Sequence, residues 1–177
     1  MATVNTWTLL IQGVSFAATT VLAGIHNGGA RVIRVRRIGM VNAQTVAVVG
    51  VLCATDIVRY WNAVTWNAPT AVTSVPHDTG NSALVSTTTG RAGNALGGSG
   101  PDTFRRLHWN SDEPIYNTST MDDWEIFVPL GIIWDAGYGD DSSQSITLRN
   151  GELIFVYNQV GAAGLVDVWI EFTDEAA

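Results

Sequence analysis

The chain has 177 residues, enough for one domain with a core of its own and too few for a second without an evident linker. Hydrophobic residues make up 46% and charged residues 14%, with a net charge of −7, which argues against wrapping nucleic acid or an anionic membrane, since both require a basic surface. All nine cations are Arg, so Schiff-base lysine, P-loop lysine and Ser-Lys chemistry are excluded.

The dominant hydrophobic period is two, the mark of strands. Trp7 to Val14 and Thr19 to Ile25 read as the first strands, with Asn27-Gly28-Gly29 as a turn. A long strand follows from Ala30 to about Val41. Asn42-Ala43-Gln44 turns it into Thr45 to Tyr60, which is too long for one flat strand and is expected to break or bulge at Gly50. Thr70 to Val75, Ala83 to Thr88, Thr103 to Trp109, Trp124 to Ile133 and Ser145 to Leu148 continue the series.

Gly90 to Asp102 is glycine-rich and poor in apolar residues, and reads as an extended or mobile loop. Leu153 to Tyr157 is apolar on both faces, whereas Val166 to Phe172 alternates strictly, its odd positions being Asp167, Trp169 and Glu171. With Gly161-Ala162-Ala163-Gly164 between them, these two predict a terminal hairpin. Helix should be minor, at most a turn near Thr118 to Asp122. About ten short strands joined by Gly, Asn, Pro and Ser turns predict an all-β fold over residues 1–177, a single antiparallel β-sandwich of jelly-roll type.

Few patterns carry chemistry. The single cysteine, Cys53, lies in an apolar run and reads as a small buried hydrophobe. His26, His77 and His108 lack the spacing of a zinc site, and no Gly-x-Ser-x-Gly elbow holds a nucleophile. Asp112-Glu113, Asp122-Asp123, Glu125 and Asp140-Asp141 are the carboxylates a glycosidase would need, but a charge beside an aromatic at a strand start, as Glu125 is beside Trp124, is more simply the solvent-facing position. Asp135 to Asp141 has oxygen ligands and glycines suited to Ca²⁺ but not the EF-hand spacing, so a turn of solvated acids is favoured. No metal or cofactor is therefore expected.

The seven Trp and the arginines point to interfaces instead. Strict alternation puts Arg34 and Arg36 on one face of their strand and Arg31 and Arg37 on the other, so no single patch is expected. Pairing with the chain's own carboxylates is the favoured fate of these cations, and pairing across subunits the alternative. The N-terminus lacks a basic signal region, and no run approaches a membrane span of roughly 20 apolar residues, so a soluble chain is expected.

Several phrases carry a resemblance: Phe104-Arg105-Arg106-Leu107-His108-Trp109, Asp112-Glu113-Pro114, Trp124 to Leu130, and Ile133-Trp134-Asp135-Ala136-Gly137-Tyr138-Gly139-Asp140, with Arg34 to Ile38 and Val75-Pro76-His77-Asp78 upstream. Over about residues 30 to 175 the chain resembles small structural proteins of tailed bacteriophages and prophages. The resemblance implies a non-enzymatic virion component, foremost a capsid decoration or cement protein that contacts the major capsid protein and sister copies, with a homotrimer favoured. It carries no catalytic residues. Candidate contact residues are Arg34, Arg36, Arg105, Arg106, Trp66 and Trp169. The alternatives are a carbohydrate- or receptor-binding module of a tail or fibre, another minor head-tail protein, or a hydrolase on the same sandwich.

Overall fold

A computed structural model describes residues 4–15, 20–43, 52–110, 131–137, 145–159 and 164–175, with backbone alone for 52, 53 and 108–110. In chain order the strands are β1 (Asn5–Ser15), β2 (Thr20–Asn27), β3 (Val32–Asn42), β4 (Leu52–Trp61), β5 (Thr65–Asn67), β6 (Thr70–Ala71) and β7 (Val75–Pro76). They continue as β8 (Thr87–Arg91), β9 (Asn94–Leu96), β10 (Ser99–Asn110), β11 (Ile132–Asp135), β12 (Ile146–Leu148), β13 (Glu152–Asn158) and β14 (Leu165–Glu175). No helix occurs among the described residues, so none is long and apolar enough to cross a membrane.

Two antiparallel sheets pack face to face. The first has the order β11-β3-β14-β1-β7, with β12 also pairing β3, and the second the order β10-β4-β13-β2-β8-β6. Each inner face follows from alternation. In β14 the even residues Val166, Val168, Ile170 and Phe172 are fully buried against Leu22, Ile25, Ile57, Ile154 and Val156 from the second sheet. Each such side chain contributes about 1.5–3 kcal/mol by leaving water.

The double-sided apolar character of β13 has a direct cause. Ile154 and Val156 face the main core, while Leu153 and Phe155 face a second cluster with Val21, Val58, Val64 and Trp66 on the outside of the second sheet. A ribbon of β5 and β9 covers that cluster.

Several expectations are corrected. β13 and β14 form no hairpin. β13 sits between β2 and β4 with both edges occupied, and β14 sits between β1 and β3 in the opposite sheet, so the chain crosses from one sheet to the other. Residues 90–102 are not an open loop. They contain β9 and the start of β10, and the segment is held by the cluster around Trp66 of β5, against which Ala95 packs and whose indole Nε1 donates to Ala92 O.

The strands number fourteen among the described residues, where about ten were expected, because several are pieces of two or three residues. The expected strand Thr70 to Val75 is two fragments, β6 and β7, that belong to different sheets. β8 starts only at Thr87. The predicted break at Gly50, the turn near Thr118 to Asp122, most of Trp124 to Ile133 and the Cys53 side chain lie outside the described residues.

Candidate functional site

The outer face of the first sheet carries the densest charge, and a β-bulge creates it. Phe172 pairs with Val35 and Glu171 with Arg37, so Arg36 is an extra residue in β3. Ile33 and Val35 point inward before the bulge and Ile38 and Met40 after it. The bulge therefore turns Arg37 to the outer face beside Arg34, and Arg36 projects there too. This corrects the expectation that these arginines divide between the two faces: alternation fails where one strand carries one residue more than its partner.

The acidic counterparts are the outward residues of β14. Arg34 Nε donates to Glu175 Oε2 at 2.8 Å, and its Nη1 donates to Thr147 Oγ1 at 3.2 Å. Arg37 Nε donates to Asp135 Oδ2 at 3.2 Å, with Nη1 3.5 Å from Glu171 Oε2. Thr173 Oγ1 donates to Glu175 Oε1 at 2.9 Å. Burial raises the Glu175 carboxyl, but the hydrogen bonds from Arg34 and Thr173 and the charges of Arg34 and Arg36 outweigh it and hold the group below the ordinary glutamate value. Arg31, just before β3, donates to the buried Asp174 carboxylate and to its backbone oxygen.

Beside this ladder lies an open cleft of about 480 Å³. Arg36, Arg37, Glu171, Thr173 and Glu175 form its floor, Asp135 to Gly137 one wall, and Val4, Thr6 and His77 the other. His77 is fixed by its backbone N–H to Thr6 O and by a 2.7 Å hydrogen bond between Nε2 and the Thr8 hydroxyl.

The remaining candidates are dispersed. Arg106 makes a two-pronged contact with Asp56, 2.7 Å at Nε and 2.8 Å at Nη2, and the same carboxylate accepts from Gln159 Nε2 at 2.5 Å. The hydrogen bonding of Arg106 to Asp56, and then the charge of that carboxylate, raise the Arg106 pKa. Arg105 Nη1 donates to Ile133 O at 2.9 Å, which with the edge-on contact of Phe104 and Trp134 at 5.8 Å joins the edges of the two sheets. Trp66 is only 6% exposed, donates from Nε1 to Ala92 O and meets Phe155 edge-on at 5.3 Å, so its face is closed to a stacking ligand. Trp169 is half-buried on the outer face of β14, opposite Gly39 on one side and Leu10 on the other.

The structure thus brings Arg34 and Arg36 together, and it leaves Arg105, Arg106 and Trp66 elsewhere in the fold. Thr6, His77 and Asp135 were not foreseen as members of one site. Their convergence depends on β7 pairing with β1 and β11 with β3, which no local pattern encodes. Asp135 is engaged by Arg37 and by the Gly137 N–H at 3.1 Å, while Asp140 and Asp141 of the suggested calcium loop lie outside the described residues. So do Asp112, Glu113, Asp122, Asp123 and Glu125. His26 is hydrogen-bonded to Val64 O, and among the described residues no group of three or more His, Cys, Asp or Glu could hold a metal ion. Comparison with family models, with curated proteins and with solved structures finds no match to this chain.

Proposed function

We propose that this chain is a non-enzymatic virion structural protein, a capsid decoration protein that binds the major capsid protein and sister copies, as a trimer, on the head of a phage-type particle. The observation that carries the reading is strand order. β1-β14-β3-β11 faces β2-β13-β4-β10, with the last two strands inserted centrally in opposite sheets. This order fits a jelly roll, the architecture of many viral capsid domains.

The outer surface supports an assembly role. Leu10 and Trp169 are cross-strand neighbours that leave apolar area in water, Leu10 being 42% exposed, and the charged ladder of Arg34, Arg36 and Arg37 lies on the same face. An aromatic centre with an arginine-bearing rim is the composition that protein interfaces favour. A decoration protein stabilises a shell because it binds the assembled lattice and not its free subunits, which shifts the equilibrium by mass action.

The test is to purify the particle and count copies of this chain by mass spectrometry. Many copies per particle, lost together with resistance of the head to heat, is the expected result. A few copies would move the chain to the tail or connector, and its absence from the particle would overturn the reading.

A further inference from the structure

The geometry points to the cleft on the outer face of the first sheet as a binding site for an acidic sugar, a hydroxyl-rich ring that carries a carboxylate. This site does not depend on the capsid role. The anchor is Arg36. Among the described residues its guanidinium makes no ion pair, whereas Arg34 and Arg37 on either side are committed to Glu175, Asp135 and Glu171. A guanidinium presents a planar fork of N–H donors that matches a carboxylate two-to-two, and Arg36 borders the cleft with that fork unspent.

The rest of the lining selects the remainder of the ligand. Glu171, Glu175 and Asp135 are held in place by arginines, yet a carboxylate can accept roughly four hydrogen bonds, so each keeps capacity for a hydroxyl donor. Thr6 and His77 add polar groups on the opposite wall. Among the described residues the aliphatic side chains of the lining are Val4 and Ala136, on opposite walls, and the other side chains there are polar or charged, which suits a hydroxyl-rich ligand better than a purely apolar one. The volume of about 480 Å³ falls within the range of small-molecule sites.

A neutral sugar leaves the Arg36 fork without its carboxylate, and a simple carboxylate leaves the acceptors of Glu171, Glu175 and Asp135 to water. A uronic acid satisfies both.

The experiment is a titration of the full chain with glucuronate, glucose and acetate, followed by amide chemical shifts and calorimetry. Glucuronate is expected to bind saturably and at least about tenfold more tightly than glucose or acetate, with shifts at Arg36, His77 and Thr173. Arg36→Ala should weaken glucuronate at least about tenfold, and Arg91→Ala, which removes a cation from the other sheet, should leave it unchanged. Should Arg36→Ala disturb the bulge, Arg36→Gln keeps the length and removes the charge, and should lose binding likewise. No saturable binding of glucuronate, equal binding of glucose or acetate, or glucuronate affinity unaltered in a folded Arg36 variant would each overturn the site.

Discussion

The indole of Trp169 lies directly on Gly39, its partner across the β14–β3 pair, so closely that a Cβ on residue 39 would stand 1.9 Å from the ring. Hydrogen is the only side chain that fits beneath this tryptophan. Gly39→Ala should therefore push the ring off the sheet or shift the strand, destabilising the fold by about 1–3 kcal/mol, an overpacking effect. Urea unfolding of Gly39→Ala, Trp169→Ala and the double variant is the check. Because the conflict vanishes once the ring is gone, the double variant should be more stable than the sum of the single changes predicts.

Trp66 fastens the β5–β9 ribbon to the outside of the second sheet through Phe155 and Ala92. Trp66→Ala empties a large buried volume and should cost about 3–5 kcal/mol. Hydrogen exchange should show protection lost first at residues 94–96, since two short strands hold poorly without a packed face.

Arg31 is the ion-pair partner of Asp174, whose side chain is only 3% exposed. Arg31→Ala would leave that carboxylate buried with its charge uncompensated. Because Arg31 is itself 39% exposed, water softens the loss, and about 1–3 kcal/mol is expected. Thermal unfolding at neutral pH measures it, and the replacement of both residues by apolar ones should be milder than the single change.

Glu175 gives the fold an acid-sensitive contact. Its folded pKa lies below the ordinary 4.5, so its contribution is present above that value and is lost as pH falls through the lower, folded one. The stability curve of Glu175→Gln should run below that of the parent chain at neutral pH and converge with it in acid. Parallel curves across that range would show that the Arg34 and Thr173 contacts do not set the titration.

Legibility in the sequence was uneven, and particular residues show why. The strict alternation from Val166 to Phe172 was enough to assign the inward and outward faces of β14, because each side chain's face there depends only on its own strand. The same rule misassigned Arg37 of β3, which it set on the face opposite Arg34 and Arg36. The extra residue at Arg36 exists only in relation to the Glu171–Phe172 pairing, and a single strand carries no record of its partner's register. In β1 a comparable irregularity between Ile11 and Val14 is marked by Gly13, whose φ of +58° favours glycine and whose N–H is taken by Asp167 at 2.7 Å. No glycine marks the bulge in β3.

By itself, then, the sequence determined an all-β chain, most of its long strands, the core face of β14 and the double-sided burial of β13, since these rest on local periodicity and side-chain hydrophobicity. Only the tertiary structure decided that β13 and β14 part into opposite sheets, that Trp66 is buried, and that Arg36 joins His77, Asp135 and Glu175 around one cleft. Those outcomes come from pairings between residues far apart in the chain, whose free energy depends on register and packing across the whole sandwich and leaves no periodic trace in any one segment.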